Sequence, residues 1–260
     1  MFTVGVTPTL AFRPIKPVSI GLGLSYYNSQ VDFRQNVPLS MLTGMPVPGS
    51  VKQTVTGDGD GYGGNAGITW SINEQNQVAV TYRTPVSIDY DGESDIEGVG
   101  ETDAKTSFKF PAVLGLGYGI KITDTIRIEF DAEWVQHSVF KDLNVELGGV
   151  EQTTPQDWND AWTFGFGADW NFTPGWTLRG GYVYMPTPVP LTTLIPSVAE
   201  EYQNVVSLGL GYKRKHHAVD VGYAGGIFNG RHIEDNQNPA YNGDYDFVSQ
   251  LMALTYSYSF

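Results

Sequence analysis

Apolar and polar residues alternate along most of this chain, and a period of two marks a β-strand with one face in an apolar medium. Phe2, Val4, Val6, Leu10 and Phe12 share one parity, against Thr3, Gly5, Thr7 and Thr9. Val18, Ile20, Leu22, Leu24 and Tyr26 form a second row, and Tyr62, Ala66, Ile68, Trp70 and Ile72 a third. Val78, Val80 and Tyr82 form a fourth, and Phe108, Phe110, Ala112, Leu114, Leu116, Tyr118 and Ile120 read as a fifth. The sixth is the clearest: Ile126, Ile128, Phe130, Ala132 and Trp134 interleave with Arg127, Glu129, Asp131 and Glu133. Rows beginning at Trp162, Trp176, Val206, Val219 and Met252 complete about eleven segments. They run to about ten residues, the length of a tilted membrane strand, and carry aromatics near their ends. The expected fold is all-β, a transmembrane antiparallel β-barrel.

The connections support that reading. Short ones fall at Arg13–Lys16, Asn73–Asn76, Thr123–Asp124, Thr173–Gly175 and Arg214–His216. Long loops are expected at about 34–58, 91–105, 144–158, 188–200 and 231–245. Short periplasmic turns and long extracellular loops are the rule for outer-membrane barrels. The chain closes on Tyr256-Ser257-Tyr258-Ser259-Phe260. Tyr256, Tyr258 and Phe260 are read as the terminal assembly signal of such a barrel, with the barrel assembly machinery as partner. An odd strand count is a difficulty, because bacterial single-chain barrels use even numbers. The chain also starts directly in a strand, with no leader peptide. The expectation is a processed, truncated or engineered form, or a partial reading frame, in which N-terminal strands are missing or another chain supplies them.

Composition narrows the function classes. Cysteine is absent, so there is no thiolate site and no disulfide framework. A net charge of −13 argues against nucleic acid as a partner. No apolar run approaches the roughly 20 residues of a spanning helix. Asp58-Gly59-Asp60-Gly61 begins like a calcium loop but lacks the later ligands, and reads as a turn opening a strand. His137 and Ser138 are adjacent in sequence and would point to opposite faces of a strand, which does not make a hydrolase. The reading is therefore not an enzyme, with no metal and no cofactor.

Several stretches resemble the FadL/TodX family of outer-membrane hydrophobic-compound transporters. They are Gly57–Gly67, Val80–Val86, Phe110-Pro111-Ala112, Trp158–Trp162 and Trp176–Tyr182, which leads into Pro188-Val189-Pro190. The resemblance runs over essentially the whole chain. It implies passive outer-membrane uptake of small hydrophobic molecules, such as long-chain fatty acids or aromatic hydrocarbons. It implies a multi-pass protein of the Gram-negative outer membrane, in contact with membrane lipid and lipopolysaccharide. Family barrels have about fourteen strands, an even count, and an N-terminal hatch inside. Against that pattern, residues 1–260 read as one barrel domain without the hatch and first strands. Met185 also stands where the family commonly has Asp. The alternatives are a general water-filled porin, or a non-transporting barrel fragment that serves as an assembly partner.

Two sets of candidate residues follow. The apolar loop around Leu39, Met41, Leu42, Met45 and Val47 is a candidate ligand-capture surface, since exposed apolar patches mark contact sites. In the family the corresponding region helps form the surface groove that captures substrate. Leu191, Leu194 and Ile195 form a second candidate stretch. For both, the plainer alternative is loop packing. Arg83, Lys109, Arg127, Glu129, Asp131, Glu133, Asp169, Arg179 and Asp220 share the parity expected of the lumen. They read first as a cross-strand network stabilising the wall. The functional alternative is that Arg83 or Arg179 attracts a carboxylate head group.

Overall fold

A computed structural model describes residues 1–40, 44–195, 203–228 and 230–259. Met41, Leu42 and Phe260, three of the candidate residues, lie outside them. The described residues form one sheet of sixteen strands and a separate two-stranded hairpin. The main sheet contains β1 (Phe2–Val6), β2 (Thr9–Ile15), β3 (Val18–Pro38), β4 (Ser50–Ser71), β5 (Asn76–Arg83) and β6 (Val86–Ile96). It continues with β7 (Gly100–Phe110), β8 (Val113–Lys121), β9 (Ile126–Val135), β10 (Asp142–Leu147), β11 (Val150–Pro155) and β12 (Ala161–Thr173). β13 (Trp176–Met185), β14 (Gln203–Arg214), β15 (His217–Phe228) and β18 (Val248–Tyr258) complete it, while β16 (Arg231–Ile233) and β17 (Gly243–Tyr245) form the hairpin.

Five pairs of segments are collinear, so sixteen strands make the eleven crossings expected from the alternation. β1 and β2 pair successive parts of β3, and β5 and β6 pair successive parts of β4. β7/β8, β9/β10 and β11/β12 continue the pattern. Every pairing is antiparallel. Among the described residues the outer edges of β1/β2 and of β18 have no ladder partner. Counted through eleven antiparallel crossings these two edges run the same way. An all-antiparallel closure would therefore take an odd number of further strands between them.

The lipid face matches the sequence pattern. Leu22, Ile68, Trp70, Tyr82, Leu116, Phe130, Phe166, Leu208, Val221 and Leu254 all stand exposed on one side of the sheet. In water such a surface would be a large penalty; in a bilayer it is the face that meets the acyl chains.

Three expected loops are instead strand. β3 and β4 pair continuously from Val18↔Trp70 to Pro38↔Ser50. At about 3.4 Å per residue this 21-residue strand is about 70 Å long, whereas a crossing uses about 9–11 residues. About half of the hairpin stands above the membrane, and its tip lies near residues 39–49. The spans 91–105 and 144–158 are likewise mostly ladder, in β6–β7 and β10–β11. Their apolar rows are short and interrupted by polar residues, as in Val31, Phe33 and Val37 of β3 or Val145 and Leu147 of β10, so the alternation does not reveal them. Gly57–Gly67 is also mid-strand, not a turn: Asp60 sits in β4 and accepts hydrogen bonds from Tyr26 Oη and Asn28 Nδ2.

An inward-facing apolar belt above a charged wall

The side-chain parity of two adjacent crossings reverses at a pair of prolines. β5 pairs β4 as Asn65↔Arg83, but β6 pairs it as Asp58↔Asp91, a shift of one residue. The extra residue falls at Thr84-Pro85, and Pro111-Ala112 breaks the facing strand at the same level. Proline has no N–H to give to the ladder, so both strands are interrupted together. Because the side-chain period is two, a one-residue shift moves the next apolar row to the other face. Val86, Ile88 and Tyr90 thus point inward, where their neighbours Val78, Val80 and Tyr82 point to lipid.

The belt is packed. Val86, Ile88 and Tyr90 are buried, with Tyr27, Val31, Phe108 and Phe110 against them. Glycines on β4 make the room. An added Cβ at Gly61 would lie 2.7 Å from Ile88 Cγ1 and 2.8 Å from Val86 Cγ1. Tyr90 Oη donates to the buried Ser29 hydroxyl at 2.9 Å, which satisfies its one polar atom. Phe108 and Phe110 were expected on the lipid face with Leu114; the proline break places them inside. The same reversal turns Lys109, expected in the lumen, to the outside.

The belt continues through aromatic contacts. Phe108 meets Phe140 at 5.4 Å, and Phe140 meets Trp158 edge-on at 5.0 Å. Trp158 then packs on a second buried cluster, Val189, Leu194 and Ile233. Here the loop at 188–195 is tied to its neighbours by Asn159 N–H to Pro188 O, Arg231 Nη2 to Val189 O and Asn236 Nδ2 to Leu194 O. Leu194 is 0% exposed, so it serves as loop core. Leu191 is exposed and Ile195 half-buried. His137 Nδ1 and Trp158 Nε1 are buried without a hydrogen-bond partner among the described residues. Burial holds the His137 imidazole below its ordinary pKa, and the Asp160 carboxylate opposes that shift.

Below the belt the inner wall is charged. One concavity is lined by Arg127, Glu129, Asp131, Asp169 and Arg179, and a second adds Glu133 beside Thr81, Gly115 and Gly117. Arg127 donates to Glu129 at 2.7 Å, and Arg179 to Asp220 at 2.5 Å. The second pair reaches across β14. It passes over Gly211, where a Cβ would lie 2.7 Å from Arg179 Nη1. Arg83 is on this face too, exposed near the top of the wall, with Asn65 and Val113 opposite it. At the tip of the β3–β4 hairpin Met45 is 61% exposed, Val47 is exposed and Leu39 is half-buried.

Comparison with known proteins adds the lineage. The chain matches the family described as "Outer membrane protein transport protein (OMPP1/FadL/TodX)" over residues 1–260. It belongs to this family. It is accordingly a β-barrel protein of the Gram-negative outer membrane. The long-chain fatty acid transport protein of Escherichia coli O6:H1 is 25% identical over 257 residues, covering 89% of this chain and 57% of the relative. The chain thus spans just over half the length of that relative. A Pseudomonas aeruginosa FadL homologue of known structure superposes with a TM-score of 0.84 at 22% identity, covering 98% of this chain and 67% of that one. The CymD monoaromatic hydrocarbon channel gives a TM-score of 0.71 at 18% identity, covering 99% of this chain and 73% of that one. These two likenesses concern the fold.

The sequence pattern brought out the charged wall and the apolar hairpin tip but missed the belt. Its signal is present in the chain: Pro85 and Pro111, and the run Gly59, Gly61 and Gly63. Their meaning depends on the register that sets them side by side.

Proposed function

We propose that residues 1–260 form a single transmembrane barrel domain that takes up small hydrophobic molecules passively across the outer membrane. The substrate class is long-chain fatty acids or aromatic hydrocarbons. The observation that carries this reading is the inward apolar belt, Val86, Ile88, Tyr90, Phe108 and Phe110. A water-filled pore has no use for a row of rings turned into its lumen. A hydrophobic solute gains about 25 cal/mol for each Å² of apolar area it removes from water there. The names of the relatives, a fatty acid transporter and a monoaromatic hydrocarbon channel, support the same class.

In this proposal Leu39, Met41, Leu42, Met45 and Val47 at the hairpin tip capture the solute first. Leu191 and Ile195 border the path, and the belt receives the solute. The charged wall below, with Arg83, Arg127, Glu129, Asp131, Glu133 and Arg179, is structural, because Arg127 and Arg179 are already engaged by carboxylates. The test is ligand binding to the refolded protein, with a long-chain fatty acid and a monoaromatic hydrocarbon as probes. Phe108→Ser should weaken binding about ten- to a hundredfold, the loss of one large apolar contact worth roughly 1.5–3 kcal/mol. Ser107→Ala, on the opposite face, should leave it unchanged. Equal affinities in the two variants, together with large steady ohmic currents in planar bilayers, would refute the reading and favour a porin.

A further inference from the structure

We propose that the turn joining β14 to β15 binds the phosphate head groups of anionic phospholipids in the inner leaflet of the outer membrane. Lys213, Arg214, Lys215, His216 and His217 are consecutive and all exposed. They stand at the short-turn end of the barrel, in a chain whose net charge is −13. No carboxylate among the described residues lies within ion-pair distance of Lys213, Arg214 or Lys215.

The extracellular end is the reverse. There Glu93 faces Asp103, Asp95 faces Glu101 and Glu146 faces Glu151 across the ladders. These carboxylate pairs repel anionic lipid, whereas the cations of the β14–β15 turn attract it.

The height of the turn matches the head groups. Tyr212, next to Lys213, packs on Trp176 with ring centroids 4.6 Å apart and the planes tilted by 40°. His217 meets Tyr258 edge-on at 5.1 Å, and its Nδ1 is 2.8 Å from Tyr256 Oη. His216 Nδ1 is 2.8 Å from Ser259 O, which ties the turn to the last strand. Such rings sit at the membrane–water interface, so the cations beside them lie at phosphate level. Lys215 also adopts φ 53°, a left-handed conformation that favours glycine or asparagine in a two-residue hairpin. A cation occupies the turn position where backbone chemistry alone would prefer a residue without charge. The inference rests on the orientation of the strands and not on which solute crosses the barrel.

The experiment titrates phosphatidylglycerol and phosphatidylcholine separately into the micelle-refolded protein and counts bound lipid by native mass spectrometry. Phosphatidylglycerol should bind more tightly, by about fivefold for each cation engaged, since a Lys or Arg near an anionic surface contributes about 1 kcal/mol. The preference should shrink as salt is raised. Lys215→Gly, which relieves the turn, should fold at least as well as the parent and lose about fivefold of the preference. The triple variant Lys213→Gln, Arg214→Gln, Lys215→Gln should bind both lipids alike. An unchanged preference in Lys215→Gly and in any folded triple variant overturns the proposal. So does displacement of phosphatidylglycerol by inorganic phosphate at matched concentration, which would mark a free-phosphate site.

Discussion

The reversal of parity at Pro85 and Pro111 can be tested through one contact, Gly61 against Ile88. Continued alternation from Tyr82 would turn Ile88 outward and Ser87 inward. In the structure Ile88 is 1% exposed and faces β4 Gly61. Ile88→Ala should therefore cost about 2–5 kcal/mol, the range for a buried aliphatic truncated to alanine. Ser87→Ala should fall within about 0.5 kcal/mol, as surface changes do. Gly61→Ala places a Cβ 2.7 Å from Ile88 Cγ1, 2.8 Å from Val86 Cγ1 and 3.0 Å from the Ser87 carbonyl oxygen. Overpacking of that kind costs about 1–3 kcal/mol. The double variant removes the first of these clashes and fills part of the space that Ile88 vacates. Its cost should be lower than the sum of the single costs by about 0.5–3 kcal/mol, the coupling expected of residues in contact. Relief stays incomplete, because Val86 and the Ser87 carbonyl remain. The assay is denaturant unfolding of the refolded protein in micelles, followed by tryptophan fluorescence, with heat-modifiable gel migration as the check on folding. Additive costs, or equal small costs for Ile88→Ala and Ser87→Ala, would refute the inward belt.

Three further outcomes are expected. Phe130→Arg, at the middle of β9 on the lipid face opposite Phe166 and Tyr118, should cost about 2–4 kcal/mol. Thr125→Arg, in the exposed turn, should cost far less, and reconstituted folding yields compare the two. At the extracellular hairpin His232 lies 2.6 Å from Asp244 and 2.9 Å from Glu234. The hydrogen bond with Asp244, and then that with Glu234, raises the His232 pKa. Its contribution to the β16–β17 hairpin is therefore fully present below the unfolded-state pKa and lost as pH rises through the raised folded value. Amide-exchange protection of Ile233 and Tyr245 should fall over that window, and His232→Gln should abolish the change. Replacing Met45 and Val47 by Ser should weaken fatty-acid binding by at least about tenfold without loss of folding, with little dependence on ionic strength. Unchanged affinity would leave the hairpin tip as packing alone.

The strands of the membrane crossings were legible because lipid imposes a strict rule on them. Every crossing residue faces either acyl chains or the interior, so Ile126 to Trp134 against Arg127 to Glu133 can be read directly from the chain. The eleven crossings, the short turns, the outer-membrane location and the inward Arg127, Glu129, Asp131 and Arg179 all follow from that rule. Above the membrane the rule lapses. Over residues 28–38 and 50–60 the one apolar row, Val31, Phe33 and Val37 against Val51 and Val55, is broken by Gln35 and Gln53, so the sequence shows a loop where β3 and β4 continue to pair.

Alternation is also unsigned: it says that two faces differ, not which face is in. At Phe108 and Phe110 the apolar row reads on without a break into Leu114. Only the one-residue shift at the facing prolines sends its upper part inward. The meeting of Phe108, Phe140, Trp158 and Leu194 has the same character, since it joins residues from four separate stretches of chain. The sequence by itself determined a barrel wall and its lipid face, because burial in lipid acts on each strand separately. Tertiary structure alone decided how high the strands rise and where the interior becomes apolar. Both depend on register between strands, which is a relation between distant segments and is carried by no one of them.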